Sequence, residues 1–450
     1  MKNAVLLTFL ILAGTGFLLA QNVPEPGQTL TLSGAIDVAL DLNFTVRQAQ
    51  NNLEQSQAGV LSAYGNFLPN VNLNSSWSGS QGESFLPNGT RLPSTNVRSF
   101  SSSISANMTL FDGFSNTSTL SQATSTAVAS EHTLSRTRQM VVNQTRRLYY
   151  DVLRTEKLLR VAEATLEYSS QQLDRVKETA RLGSASLVNV YQQQSQVGQD
   201  EVRLAQAQNE YELAKANLIA YLALDVTADY VIGDPSIPEE IDESEFARAR
   251  EETRNFRQLA QGALATRPDY LSSRESFGAA DAGVTIARSG YLPRITAGAS
   301  YSLSGNSRLV NEFDDFKNNK NLNWSFSVSF PIFSGFRTNE ASERALVARK
   351  NAEESHRDRE RTVLVELQNA ILSLQAAEKS YDAAVKSLQY QDQNLKVNQE
   401  KYNVGAGTLL DLLFARNNYN SALTTKINAV YQYLNAKSQL QLALGTIQYH

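Results

Sequence analysis

Catalysis or ligand chemistry needs a nucleophile beside a base, a cluster of metal ligands or a phosphate cradle, and this chain offers none of them clearly. It contains no cysteine, which excludes thiolate nucleophiles, thiolate metal sites, disulfides and a lipid-bearing N-terminal cysteine. Its three histidines, His132, His356 and His450, lie far apart without ligand-like spacing, and the two inside the chain read as helix-surface residues. The glycines of VGAGT at 404–408 lack both the preceding strand and the following Lys-Ser/Thr of a phosphate loop. No nucleophile with a base partner stands out, so an enzyme is not expected, nor is a cofactor or a metal. One carboxylate does stand in a notable context. Asp411 follows Gly405 and Thr408 in KYNVGAGTLLDLLFARNNY, and this stretch has a cousin earlier in the chain, ARLGSASLVNVYQQQSQV at 180–197. Gly183 answers Gly405, Ser186 answers Thr408, and Asn189 answers Asp411.

The elements around these turns are duplicated too. FLPNV at 67–71 answers YLPRI at 291–295, an offset of 224, and LFDGF at 110–114 answers IFSGF at 332–336, an offset of 222 that then holds without a gap to Leu218 and Leu440. The chain of 450 residues thus reads as two copies of one unit. A signal peptide occupies 1–20, the first repeat 21–224, an acidic, Pro-bearing inter-repeat segment 225–260, and the second repeat 261–450. The signal-peptide reading rests on Lys2 followed by an uncharged, mostly apolar run to Ala20 and then the polar QNVPEPG. A net charge of -4 with cations scattered among acids leaves no basic footprint, so nucleic acid is not an expected partner.

Each repeat opens with a helix and then carries two stretches of period-2 alternation, expected as strands at about 67–78 and 99–111 and at about 291–304 and 322–333. Val71, Leu73 and Trp77 alternate with Asn and Ser; Leu322, Trp324, Phe326 and Val328 do the same. Alternation of apolar residues with small polar ones is the pattern of a transmembrane barrel strand, lipid on one side and water on the other. Trp77 and Trp324 are candidates for the aromatic belt at the membrane interface. The Gly/Ser/Asn-rich segments between the strands read as exposed loops.

The remainder reads as helix, at about 114–181 and 185–224 in the first copy and 336–402 and 408–444 in the second. The longest would span on the order of 100 Å. After each glycine turn apolar residues recur every seven: Val190, Val197, Leu204, Tyr211 and Leu218, then Leu412, Tyr419, Tyr433 and Leu440, with Lys426 breaking the second series. Such a heptad means helices packed lengthwise. No segment after the N-terminal one is apolar enough for a membrane helix. Four strands cannot stand alone in lipid, because the two sheet edges would leave backbone groups unpaired. With an even strand number of at least eight, two, three or four copies would close a barrel.

The motif set FLPNV/YLPRI, LFDGF/IFSGF and the paired glycine turns, with the opening TLSGAIDVALDLN and the closing LALGTI, resembles the TolC family of outer-membrane efflux and secretion channels over essentially the whole mature chain. The resemblance implies a mixed α and β membrane protein: a homotrimer with a twelve-stranded β-barrel, four strands per protomer, in outer-membrane lipid, continuous with a long periplasmic α-helical tunnel. It further implies a passive exit duct served by a periplasmic adaptor (membrane fusion) protein and an inner-membrane transporter, in an efflux pump or type I secretion system. By position, Gly183, Ser184 and Ser186 and Gly405, Ala406 and Thr408 would form adaptor-docking tip turns. Asp411, Phe414, Tyr402 and Gly407 would form the periplasmic entrance gate. The family's second acidic position is Phe414 here, and Gly407 replaces a basic latch residue, so a single carboxylate ring backed by a Phe414 constriction is expected. Two other designs, a trimeric coiled-coil surface adhesin and a periplasmic coiled-coil adaptor, fit less well. The first would group its strands at one end, and the second would lack them.

Overall fold

A computed structural model of the chain describes residues 27, 29–85, 88–183, 186–307 and 319–449. The expected signal peptide and Ser184 lie outside the described residues. The chain divides into two compact units, one formed by Met1–Asn43 and Thr145–Pro238 with His450, the other by Phe44–Gln144 and Glu239–Tyr449.

In the first unit a short strand β1 (Thr29–Leu30) pairs in parallel with β4 (Val231–Ile232). Helix α1 (Leu32–Leu42) starts at Thr31, whose hydroxyl accepts the Gly34 N–H, and the Leu32 N–H goes to Asp234 Oδ2 at 3.0 Å. The C-terminal part of the long helix α3 (Ser115–Arg181) and helix α4 (Leu187–Tyr221) also belong here. Tyr149 is fully buried and gives its hydroxyl proton to the Leu30 carbonyl at 2.8 Å. Among the heptad positions of α4, Val190 and Leu218 are buried, and elsewhere on the helix so are two polar residues, Gln193 and Asp200. Gln193 turns its amide to the Ser169 carbonyl of α3 at 2.9 Å.

The second unit holds helix α2 (Phe44–Gly65), strands β2 (Asn70–Phe85) and β3 (Arg91–Phe111), and the N-terminal part of α3. It continues through α5 (Glu243–Glu252), α6 (Phe256–Thr266), α7 (Pro268–Arg288), β5 (Arg294–Ser307) and β6 (Lys320–Ser329). It ends in α8 (Arg337–Asn403) and α9 (Leu409–Leu444). Along α8 the buried positions Val363, Leu367, Ala370, Leu374, Ala377, Tyr381 and Ala384 step alternately by four and three, the spacing of a helix seam, and they pack with Ala429, Val430, Tyr433 and Leu440 of α9. Phe246 of α5 caps this seam, its ring 4.9 Å from that of Tyr433 and edge-on to it. Lys426, the break in the heptad, is accommodated by an ion pair with Glu240 at 2.7 Å.

The four strands form one antiparallel sheet in the order β2-β3-β5-β6. Two features differ from the sequence expectation. The segment from 78 to 99 reads in sequence as a loop, yet β2 and β3 stay paired as far as Phe85↔Arg91, with a bulge between Gly82 and Ser84. Backbone pairing does not require apolar side chains, so Ser and Gly continue the ladder where the hydrophobic alternation stops. The last strand, expected to reach residue 333, ends at Ser329. Its ladder stops at Arg294↔Ser329 because the partner strand β5 begins there, directly after Pro293, which has no N–H to donate. His356 is also less exposed than a helix-surface residue: its Nδ1 lies 2.7 Å from Ser273 Oγ and its ring stacks on Tyr270 at 4.7 Å.

Candidate functional site

The sheet register builds one site out of the alternation alone. Rows of directly paired residues on one face read Ile295 and Val328; Met108, Ala297 and Phe326; Val71, Ala106, Ala299 and Trp324; Leu73, Ile104, Tyr301 and Leu322. None of these carries a charge. The opposite face is Asn70, Asn72, Asn74 and Ser76, then Ser101, Ser103, Ser105 and Asn107, then Gly298, Ser300 and Ser302, then Asn321, Asn323, Ser325 and Ser327. Ser76 and Ser101 share a hydrogen bond at 2.8 Å across the ladder. One side of the sheet therefore suits hydrocarbon and the other water.

Both tryptophans project from the apolar face, Trp77 75% and Trp324 81% exposed, but at different heights. Trp77 pairs with Phe100, which pairs with Gly305, whereas Trp324 pairs with Ala299. The two rows meet β5 roughly 20 Å apart along the strand. At the helix end of the sheet stand two edge-on aromatic pairs, Phe111 with Phe114 at 5.4 Å and Phe333 with Phe336 at 5.5 Å, each 86° between ring planes. Sequence reasoning passes over these phenylalanines. Their signal is present in LFDGF and IFSGF, whose Gly-Phe steps take left-handed backbone angles at Gly113, Phe114, Gly335 and Phe336 alike.

Each unit carries one of the two glycine turns. Gly183 at φ 78° and Gly405 at φ 76° end α3 and α8 in the left-handed conformation that a side chain would strain. Three residues later a hydroxyl starts the next helix. Ser186 Oγ accepts the Val188 N–H, and Thr408 Oγ1 accepts the Asp411 N–H at 3.1 Å. Asp411 completes the exchange: its Oδ2 accepts the Thr408 N–H at 3.2 Å and the Thr408 hydroxyl at 2.6 Å. This capping box places an acid at the positive end of the helix. The Thr408 hydroxyl bond, with the Thr408 N–H and the Lys401 charge, holds the Asp411 carboxyl below its ordinary value.

Around Asp411 the structure separates the remaining gate candidates. Tyr402 packs with Tyr419 on the small cluster of Leu395, Leu412 and Ala415. Phe414 points outward, 67% exposed in the single chain. Gly407 permits a close approach, since a Cβ there would lie 3.0 Å from Lys401 Cβ; both its N–H and that of Ala406 go to the Lys401 carbonyl. Sequence reasoning also misses the apolar residues beside the turns. Leu182, Leu187, Val188 and Tyr191 are exposed near the first, and Val404 and Leu410 near the second. Their signal is the presence of large apolar side chains at helix positions outside the heptad seam.

Among the described residues no cluster of three or more His, Asp and Glu is arranged to hold a metal, and no helix is long and apolar enough to cross a membrane. A sequence model of the outer membrane efflux protein family matches residues 35–224 and 259–446. The chain is 26% identical over 324 residues to outer membrane protein TolC of Vibrio cholerae, covering 69% of each. It is 25% identical over 297 residues to the pyoverdine export outer membrane protein OpmQ of Pseudomonas aeruginosa, an alignment that spans 66% of this chain and 59% of that one. The fold is that of the crystal structure of VceC, an outer membrane protein of Vibrio cholerae, with a TM-score of 0.78 at 20% identity over 92% of this chain and 96% of that one.

Proposed function

Because the chain belongs to the outer membrane efflux protein family, the TolC-like channels, we propose that it is the outer-membrane exit duct of a tripartite efflux pump or type I secretion system. In this reading two copies of one structural unit make each protomer. Three protomers close a twelve-stranded barrel that continues into a helical tunnel in the periplasm.

The observation that carries the reading is the four-stranded sheet with one face apolar over the rows from Ile295 and Val328 to Leu73 and Leu322, Arg98 and Lys320 joining that face only toward the loop end, with one Ser/Asn face and a free edge at each end, β2 and β6. In lipid such a sheet must be closed by further strands. The apolar face then meets hydrocarbon and the Ser/Asn face lines the lumen. Trp77 with Phe100 serves as the interfacial aromatic at the loop end, and the Phe111–Phe114 and Phe333–Phe336 pairs serve at the helix end. Trp324 lies between them, within the apolar band.

Gly183 with Ser186, and Gly405, Ala406 and Thr408, make the turns that a periplasmic adaptor grips, helped by the exposed apolar residues beside them. Asp411 supplies a ring of carboxylates at the tunnel entrance, which favours cations, and Phe414 narrows the passage next to it. Conduction is passive, driven by an inner-membrane transporter. Small-compound export is the favoured cargo, as in the named function of the pyoverdine relative. Membrane fractionation tests the reading: the mature chain is expected in the outer membrane, released by detergent and resistant to carbonate washing. Recovery in the soluble periplasm would contradict it.

A further inference from the structure

Two cations break the apolar face of the sheet, and both do so at its loop end. Beyond the row of Leu73, Ile104, Tyr301 and Leu322, the next row on that face is Ser75, Ser102, Leu303 and Lys320. Trp77, Phe100 and Gly305 follow, and then Gly79, Arg98 and Ser307. Lys320 and Arg98 therefore stand one row to either side of the Trp77–Phe100 aromatics. Their positions are about 13 Å apart along the strand direction and two strand spacings, about 10 Å, across it. Gly305 lies between them on β5 and contributes no side chain.

No acid balances this pair. Strands β3, β5 and β6 contain neither Asp nor Glu, and the acid of β2 is Glu83, at the bulge beyond Gly79. Both cationic side chains are exposed, and neither makes an ion pair among the described residues. A cation on a lipid-facing strand is costly at mid-membrane and nearly free at the interface, so the two mark the level of the headgroups. Contact with water alone would not call for charge, since the opposite face of the same strands meets it with Ser and Asn. Two like charges without an acid make a field that selects anions. At that level of a membrane the anion is a lipid phosphate.

We propose that Lys320 and Arg98 form a binding site for a phosphorylated glycolipid headgroup of the outer leaflet, with its acyl chains lying on Leu303, Tyr301 and Leu322. This rests on the barrel reading above and adds a ligand class and the residues that take it. Arg98 presents a planar fork that grips one phosphate through two hydrogen bonds, and Lys320 attracts a second as a point charge. Long, flexible stems let both heads lean toward the interface from the apolar face. Their separation suits a sugar head with a phosphate at each end.

The test uses the full mature chain, extracted from outer membranes in a neutral detergent, with diphosphoryl lipid A as the probe. Native mass spectrometry of a lipid titration counts the lipid bound per assembly. A basic residue beside a charged lipid surface contributes about fivefold in affinity. Lys320→Gln and Arg98→Gln are each expected to weaken binding by about that factor, and the double variant by about twentyfold. Arg294→Gln removes a cation from the Ser/Asn face at the helix end and is expected to bind as wild type does. Fully dephosphorylated lipid should bind wild type as weakly as the diphosphoryl lipid binds the double variant. Equal affinity of wild type and the double variant for diphosphoryl lipid A, in preparations of the same assembly state, would overturn the site. So would equal binding of the two lipids by wild type. Either result leaves the barrel standing, whereas recovery of the chain as a soluble protein would remove the barrel reading and the site with it.

Discussion

The Asp411 carboxylate closes on Thr408 from both directions, accepting the Thr408 hydroxyl at 2.6 Å while Thr408 Oγ1 accepts the Asp411 N–H at 3.1 Å. The residue proposed for the entrance thus also completes the cap of α9, and its side chain is oriented by Thr408. Thr408→Ala is expected to lower stability by about 1 kcal/mol, the usual cost of losing a hydroxyl N-cap, and to shift the ion selectivity of the channel by releasing the carboxylate. Chemical denaturation and reversal potentials, measured on the same preparation, check the two parts. Selectivity unchanged by Thr408→Ala would mean that the cap does not orient the gate.

Acid should affect the entrance through Asp411. The Thr408 hydrogen bonds and the nearby Lys401 hold the Asp411 carboxyl below its ordinary value of 3.8. A depressed folded-state value means that the cap's contribution is complete above that ordinary value and is lost as pH falls through the lower folded one. Cation selectivity is expected to fade as acid protonates Asp411, and Asp411→Ala to remove that pH dependence. The same pH dependence of reversal potentials in wild type and Asp411→Ala would contradict the assignment.

Phe414 is the most exposed large apolar residue on the first turns of α9. Its truncation to Ala is expected to raise resting single-channel conductance severalfold. An unchanged conductance would show that the constriction lies elsewhere.

A buried ionic knot should dominate the stability of the second unit. Arg267 is fully buried, pairs with Asp269 and Glu366 at 2.6 Å each, and donates to the Ala443 carbonyl at 3.2 Å. Arg267→Met would remove the two shortest ion pairs and leave Arg136 and Arg359 as the remaining cations beside the carboxylates, at an expected cost of about 1–3 kcal/mol, read as a lower denaturation midpoint. Burial alone would raise the Asp269 carboxyl, but the Arg267 hydrogen bond and the charges of Arg136, Arg267 and Arg359 outweigh it and hold the group below its ordinary value. The knot therefore contributes fully above about pH 4 and weakens as pH falls through the depressed value. Wild type should lose stability there more steeply than Arg267→Met does.

The sheet faces give a paired test. Phe326→Arg puts a charge on the apolar face and is expected to cost about 2–4 kcal/mol near the middle of the membrane, reducing the amount of protein assembled in the outer membrane. Ser325→Arg, one residue away on the other face, should assemble normally. Equal assembly of both variants would mean that the Phe326 side does not face lipid.

Much of this architecture is legible in the amino-acid sequence. The alternation of Leu322, Trp324, Phe326 and Val328 with Asn and Ser specifies the faces of β6, because period 2 follows directly from backbone geometry. The correspondence of Gly183 with Gly405 marks the turns, because few residues other than glycine enter the left-handed region. The capping role of Asp411 is equally present in the spacing Thr408-x-x-Asp411. What the sequence does not display is set by partners distant along the chain. The reach of β2 and β3 beyond Ser78 depends on mutual pairing of residues with no hydrophobic pattern. The placement of Lys426 depends on Glu240, and that of Arg267 on Glu366 and the last carbonyls of α9.

Whether this protein conducts is decided by single-channel recording of the purified mature chain in a planar bilayer, with wild type and Asp411→Ala side by side. Wild type is expected to give small, discrete, cation-selective steps, and Asp411→Ala steps of weakened selectivity. A well-folded trimer that gives no steps, even with the entrance opened by Phe414→Ala, would show that it is not a channel.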